Sequence, residues 1–368
     1  MPRTSSALHV LITADAVGGV WSYVYELCRA LPDVRFTIAN MGPLPSATQQ
    51  KAACDLKNVE LVCREYRLEW MEAPWDDVDR AGAWLCDLAR ECAADVVHLN
   101  GYSHAVLDFA APVVVTAHSC VQTWWRAVHG TQAPPGWNEY KRRVHEGLRV
   151  ARLVIVPTRA FLLQLEDVYG ALPHARVVYN GHAAAANEAL GKEPLVLAVG
   201  RLWDEAKNIQ VLAGAAAQLP WPIMVAGSAL APDGTQAAPN SLRSLGVLDR
   251  EELFAWLRRT SVFVSPALYE PFGYGALEAA LQGCALVLSD IETFHEVWGN
   301  AALYVPPKDS AAIQRVLAEL IAAPARLTTM SRSARERAER YSSTRMAHAY
   351  LAAYRELTNA QSPHLVNA

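Results

Sequence analysis

The chain has 368 residues, a formal net charge of −4, 52% hydrophobic and 19% charged residues, the profile of an ordinary soluble globular protein with two domains as the default. So mild a charge balance speaks against a nucleic-acid binder that works by neutralising phosphates. Seven cysteines, odd in number and without a C-x-x-C pair, speak against a zinc site or a disulfide framework and fit a reducing cytoplasm.

Short β-branched runs alternate with longer helical patterns. The first half predicts strands at 8–14, 36–40, 59–63, 95–100, 112–117, 153–158 and 176–180. A break rich in Gly, Ala and polar residues follows, and strands resume at 195–200, 222–227, 261–266, 285–289 and 302–306. Continuous apolar strands separated by helices mean an α/β chain with parallel sheets covered on both faces. The expected organisation is a doubly wound domain over 1–182, a linker over 183–194, a second doubly wound domain over 195–342, and a helical tail over 343–368 that crosses back to the first domain. That tail carries Met346, Tyr350, Ala353 and Leu357 on one face. A cleft between the two domains is the natural ligand site.

Ligands of open parallel sheets bind where strands feed helix N-termini, and four such loops stand out. In "ITADAVGGVWSYVYELCRAL", Gly18 and Gly19 permit close backbone approach before a helix, without the spacing of a dinucleotide fingerprint. In "LAVGRLWDEAKNIQVL", Arg201 and Lys207 are placed to converge on one anion. In "ALYEPFGYGALEAALQG", Glu270 lies in a glycine-rich loop ahead of a helix that carries Glu278. A buried carboxylate is costly unless something hydrogen-bonds to it, and the hydroxyls of a sugar or ribose are suitable donors. The fourth loop, "VVVTAHSCVQTWW", sets His118 at the mouth of the first sheet, as a catalyst or as a satisfied polar residue.

These segments together resemble the retaining glycosyltransferases of family 4 (group 1), and "YNG" at 179–181 and the closing helix extend the resemblance over nearly the whole chain. It implies the GT-B fold, two Rossmann-like domains facing a cleft, and transfer of a hexose from a nucleotide-sugar donor. It further implies that Arg201 and Lys207 bind the donor diphosphate with amides around Gly275 and Ala276. Glu278 then holds the ribose, Glu270 contacts the hexose with the amides of Phe272 and Gly273, His118 reaches the donor sugar, and Gly18 and Gly19 close beneath the diphosphate. Arg201, Lys207, Glu270 and His118 are the residues expected to carry the chemistry. The family often has His-Asp where this chain has His118-Ser119, and Glu296 is assigned structure only.

Cleavage of the anomeric C–O bond leaves positive charge on the sugar and negative charge on the diphosphate, so the two cations and helix N-termini stabilise the transition state without a metal or other cofactor. Asp77-Val78-Asp79 has the D-x-D form but reads as a helix cap. UDP-hexose is the first donor expectation and GDP-mannose the next. The acceptor, a saccharide, lipid-linked or small-molecule hydroxyl, belongs in the first domain, where Trp21, Trp124, Trp125 and Trp137 either offer aromatic faces or pack a long loop. The basic stretch 141–152 reads as a solvated helix face or as a weak contact with an anionic membrane surface. No apolar run reaches the roughly 18 residues of a spanning helix. A non-catalytic sugar-nucleotide-binding module and a nucleotide-sugar epimerase of the same fold are the alternatives; a phosphorylase would need a pyridoxal-bearing lysine that no segment advertises.

Overall fold

The computed structural model describes residues 7–16, 18–183, 191–231, 234 and 242–360. In the first part of the chain, strands β1 (His9–Asp15), β2 (Arg35–Met41), β3 (Val59–Cys63), β4 (Val96–Leu99), β5 (Val113–Thr116), β6 (Leu153–Val156) and β7 (Ala175–Val177) are connected by helices α1 (Gly19–Ala30), α2 (Ala47–Cys54), α3 (Trp75–Glu91), α4 (Val121–His129), α5 (Asn138–Val150) and α6 (Arg159–Tyr169). The strands form one sheet in the order β3-β2-β1-β4-β5-β6-β7, and its strand pairs are parallel.

The second part contributes β8 (Glu193–Val199), β9 (Ile223–Ala226), β10 (Arg243–Gly246), β11 (Thr260–Ser265), β12 (Ala285–Ser289) and β13 (Leu303–Val305). Its helices are α7 (Val211–Ala216), α8 (Arg250–Arg259), α9 (Tyr274–Leu281), α10 (Glu292–Trp298), α11 (Ser310–Ile321) and α12 (Pro324–Ala338). This sheet is also parallel, in the order β10-β9-β8-β11-β12-β13. The strand order reverses between β1 and β4 in one sheet and between β8 and β11 in the other, the crevices where such sheets hold ligands.

Strand residues alternate between two cores on the faces of each sheet, which is why the runs read as continuously apolar. In the first sheet, Leu11, Val97, Val115 and Val154 bury on one face, and Val10, Ile12, Val96, Val114 and Ile155 on the other. The last helix, α13 (Ser343–Ala360), covers that second face with Met346, Tyr350, Ala353, Tyr354 and Leu357. Polar groups lock it there: the buried ring of His98 bonds Tyr354 Oη and Thr116 Oγ1 at 2.7 Å each, and Thr116 Oγ1 lies 3.1 Å from Tyr350 Oη. Paired in this way, the buried polar groups avoid the desolvation cost of being left unmatched. Residues 184–190 of the expected linker and 361–368 of the expected tail lie outside the described residues.

Two expectations need correction. Strand β10 was not anticipated, because "RSLG" is a short and largely exposed edge strand without an apolar run to announce it. The D-x-D carboxylates do not cap α3, whose N-cap is Pro74. Asp77 instead accepts the amide of Arg67 at 2.9 Å and pairs with Arg80, while Asp79 pairs with Arg143 of α5 at 2.5 Å. The two central arginines of the basic stretch are also engaged: Arg142 bonds Glu139 and Glu146 at 2.6 and 2.7 Å, and Arg143 lies over the Trp75 ring at 4.6 Å. No helix among the described residues is long and apolar enough to cross a membrane.

Candidate active site

Gly18 is the N-cap of α1 at φ 86°, a conformation that favours glycine, and a Cβ built there would lie 3.2 Å from a guanidinium nitrogen of Arg201. A Cβ on Gly19 would lie 3.8 Å from the ring of Tyr274, the first residue of α9. The glycine loop of the first sheet therefore closes directly against both site loops of the second.

Arg201 follows β8 and is gripped on two sides. Its Nη2 donates to Asp204 Oδ2 at 2.5 Å, and its guanidinium lies 5.2 Å from the Trp203 ring centroid. Its Nε is buried and has no hydrogen-bond partner. A buried cationic N–H is costly without an acceptor, so this nitrogen can still take one. Lys207 ends the 3-10 turn Glu205–Lys207 and reaches Glu270 Oε2 at 2.6 Å, so the second expected diphosphate cation is paired with the expected hexose carboxylate.

Asp204 had not been singled out from the sequence. Oδ1 accepts the Ala206 amide at 3.0 Å, capping the 3-10 turn, and the indole N–H of Trp124 at 3.2 Å from α4 of the first sheet. Burial opposes its ionisation, but Arg201 and Lys207 outweigh that effect and hold the carboxyl below the usual range. One buried carboxylate thus ties the arginine to a residue on the opposite side of the cleft.

The loop after β11 is shaped by Gly273, the N-cap of α9 at φ 94°, where a Cβ would meet Phe294 at 2.7 Å. A Cβ on Gly275 would stand 3.3 Å from Phe263, and the side chains of Phe272 and Ala276 are buried in the core. Phe272 and Ala276 use their side chains for packing, and the two glycines leave room for the rings of Phe294 and Phe263. Glu278 sits in the second turn of α9 with its side chain only 12% exposed. Burial lifts its pKa to about 7; Arg250 opposes the shift and Glu26 adds to it.

Adjacent to Glu270, Tyr269 projects into the first domain. Its Oη accepts the Cys120 amide at 3.0 Å, lies 2.8 Å from Thr123 Oγ1, and its ring packs edge-on to Phe161. Glu296 of α10 likewise accepts the amides of Arg159 and Ala160, the first turn of α6, at 2.7 Å each, and the Tyr179 hydroxyl at 2.9 Å. This is the structural part assigned to Glu296, extended across the two sheets.

His118 stands just beyond β5, and its protonation pattern follows from its neighbours. The side-chain amide of Asn100 donates to the Thr13 carbonyl at 2.5 Å, which turns Asn100 Oδ1 toward His118 Nε2 at 2.8 Å. Because that oxygen only accepts, Nε2 carries the hydrogen and Nδ1 is left as an acceptor. Burial presses the His118 pKa down to about 3, so the ring is neutral. It meets the Tyr23 ring in an edge-type contact, with centroids 4.5 Å apart. Asn100 was missed in the sequence because an Asn after a strand carries no distinctive spacing.

The tryptophans divide. Trp21 does not face the cleft: it is 7% exposed and packs with Val24 and Ile38 in the core beneath α1, so it is withdrawn from the acceptor set. Trp124 is committed to Asp204, Trp125 lies tilted against His129 with centroids 4.4 Å apart, and Trp137 meets Tyr140 edge-on at 5.8 Å.

Comparison with known proteins bears on this arrangement. A family model described as Glycosyltransferase Family 4 matches residues 17–184, and one described as Glycosyl transferases group 1 matches residues 193–323. The chain is 26% identical to a glycogen synthase of Mycobacterium tuberculosis, over 87% of this chain and 86% of that protein. It is 27% identical to a D-inositol 3-phosphate glycosyltransferase of Kribbella flavida, over 95% and 93%. Among solved structures, a sucrose-phosphate synthase from Thermosynechococcus elongatus superposes with a TM-score of 0.76 at 19% identity, covering 96% of this chain and 100% of that one. The Anabaena protein HepE, solved in complex with UDP-glucose, superposes with a TM-score of 0.74 at 16% identity, over 95% and 100%.

Proposed function

The chain belongs to the group 1, family 4 glycosyltransferases, and from that premise we propose that it transfers a hexose from a nucleotide-sugar donor to an acceptor hydroxyl, with retention and without a divalent metal. The supporting observation is the buried, unpartnered Nε of Arg201, whose guanidinium stands against the α1 glycine loop and springs from the same loop as Lys207. A diphosphate placed there would supply the missing acceptor and meet the N-terminus of α1.

The roles follow from charge. Arg201, Lys207 and the free amides at the start of α9 stabilise the diphosphate as it leaves, where the negative charge grows. Glu278 accepts the ribose hydroxyls. Glu270, neutralised by Lys207 at 2.6 Å, faces the hexose, and the free Nδ1 of His118 accepts a hexose hydroxyl. Attack on the face the diphosphate leaves lets a phosphate oxygen take the acceptor's proton, which requires no side-chain base. The donor is a UDP-hexose before GDP-mannose, in line with the UDP-glucose held by the Anabaena relative of this fold. The acceptor is a saccharide, lipid-linked or small-molecule hydroxyl bound by the first domain near Trp124 and Trp125. Contact with a membrane surface, where the acceptor is lipid-linked, would fall to the exposed Arg149 and Arg152 rather than to the paired Arg142.

Isothermal calorimetry with UDP-, GDP- and ADP-sugars, followed by transfer assays with and without EDTA, tests the reading. Binding of one nucleotide series, lost in Arg201→Ala, and EDTA-insensitive transfer with the product in the donor's anomeric configuration are expected. Binding without transfer to any acceptor class would leave a non-catalytic module, and no binding would remove the donor site altogether.

A further inference from the structure

Glu26, in the middle of α1, is a fully buried carboxylate to which the donor site described above gives no task. An ion is kept away from water only where its partners are close and well directed. Glu26 has three: Arg29 at 2.9 Å, the Ala183 amide at 3.1 Å, and Arg250 of α8 at 2.6 Å. The last crosses from the second sheet's helices to the first's. Arg250 opens α8 immediately after Asp249, whose capping box with Glu252 fixes the start of that helix, and its guanidinium lies near the rings of Tyr25 and Phe254 at 5.3 and 5.5 Å.

His182 completes the cluster. Its Nδ1 lies 2.8 Å from the Ala183 carbonyl, which only accepts, so Nδ1 carries the hydrogen and Nε2 is free to accept from Arg250 Nη2 at 3.1 Å. The same Nε2 lies 3.7 Å from Glu26 and 3.8 Å from Glu278. The ring is held by backbone bonds from His182 to Tyr341 and from Ser343 to His182, both 3.0 Å, and by stacking on Phe254. The groups facing Glu278 are therefore Arg250 from α8, Glu26 from α1, His182 from the segment after β7, and Tyr274 on its own helix.

We infer that Arg250 is a positioning residue for the nucleotide site: it draws α8 onto Glu26 of α1 and supplies the positive charge beside which Glu278 receives the ribose. This rests on the donor reading of Glu278. The geometry sets Arg250 beside Glu278: its Nη2 lies 3.1 Å from His182 Nε2, which lies 3.8 Å from Glu278 Oε1. Glu26 and burial both disfavour the ionised form of Glu278, and Arg250 is the cation that opposes them. Protonation would turn one of the carboxylate oxygens from an acceptor into a donor, just where two ribose hydroxyls need acceptors. Arg250 and Glu278 belong to the same domain, so this charge stands beside Glu278 in either arrangement of the two halves, and the bond from Arg250 to Glu26 adds the link to α1.

The test is calorimetric titration of UDP, GDP and ADP into wild type, Arg250→Met and Arg250→Lys from pH 6.5 to 9. The nucleotide that binds wild type should bind Arg250→Met about threefold more weakly at pH 7.5 and roughly eightfold more weakly at pH 6.5, as a midpoint moved up by about one pH unit from about 7 requires, and the gap should close toward pH 9. Arg250→Lys should recover most of the loss. A gap that stays constant with pH, or an Arg250→Met profile that overlays wild type, overturns the inference while leaving the donor site intact. If wild type binds none of the three nucleotides, the donor reading falls and this one with it. Should Arg250→Met fail to fold because Glu26 is stranded, the double variant Glu26→Gln/Arg250→Met removes the stranded charge. Its midpoint should move in the same direction by a smaller amount, and no movement overturns the inference.

Discussion

Asp204 and Trp124 meet across the cleft: the carboxylate accepts the indole N–H at 3.2 Å on one oxygen and holds the Arg201 guanidinium at 2.5 Å on the other. The residue that aims the Arg201 guanidinium thereby also registers the position of the opposite domain. Asp204→Asn keeps the shape but removes the charge, and should lower the transfer rate by about 10- to 100-fold, since a charge-assisted hydrogen bond contributes roughly 1.5–3 kcal/mol. Trp124→Phe deletes only the cross-cleft bond and should lower stability by about 1 kcal/mol. Steady-state kinetics and urea denaturation separate the two, and an Asp204→Asn enzyme of undiminished rate would refute the aiming role.

His118 is predicted to act as a neutral acceptor rather than a proton carrier. With its pKa near 3, the rate should show no limb between pH 5 and 9 assignable to this ring. Asn100→Leu removes the acceptor that fixes the hydrogen on Nε2, and the buried N–H left behind should drive the ring to turn or change tautomer. Its effect on kcat should then approach that of His118→Ala, on the order of tenfold or more. Kinetics of the two single variants and the double decide it: additive losses would mean that Asn100 acts independently of His118.

Much of the architecture could be read before the structure because each buried parallel strand announces itself by a β-branched run, and Gly18, Gly273 and Gly275 mark loops where a Cβ has little or no room. Arg201, Lys207, Glu270 and Glu278 stood out because those loops gave them a common direction. Glu26 did not, since it occupies an unremarkable helix position and owes its burial to Arg250, 224 residues away in sequence. Asp204 reads locally as the cap of a short turn, and only the fold brings Trp124 to its other side. Trp21 was misplaced for a related reason: closeness to the glycine loop says nothing about helix phase, and phase turns its ring into the core.

Glu296 caps a helix that belongs to the other half of the molecule. Its carboxylate accepts the Arg159 and Ala160 amides at 2.7 Å, where the positive end of the α6 dipole favours an anion. Glu296→Ala should destabilise the protein by about 1 kcal/mol, the usual scale for losing a cap. The local signature is more diagnostic: hydrogen exchange at the amides of 159 and 160 should accelerate while that of β6 does not. Unchanged exchange at those two positions would remove Glu296 from the seam.

Glu278 should make the ligand-free protein less stable as pH rises. Its folded pKa, about 7, lies above the ordinary carboxylate value because burial penalises the charge. A group raised in this way contributes stability that is fully present below the unfolded pKa, near 4.5, and is lost as pH climbs through the folded value. The window is thus roughly pH 4.5 to 7, and the difference across it is on the order of 2–3 kcal/mol. Glu278→Gln, which carries no charge at any pH, should match wild type near pH 4.5 and exceed it at pH 8. Urea midpoints of the two proteins at several pH values measure this directly, and a difference that does not grow with pH would show that Glu278 holds its charge in the folded protein at no cost. The same charge is what the ribose hydroxyls are proposed to use, so bound nucleotide should close the gap between wild type and Glu278→Gln at pH 8 by stabilising only the former.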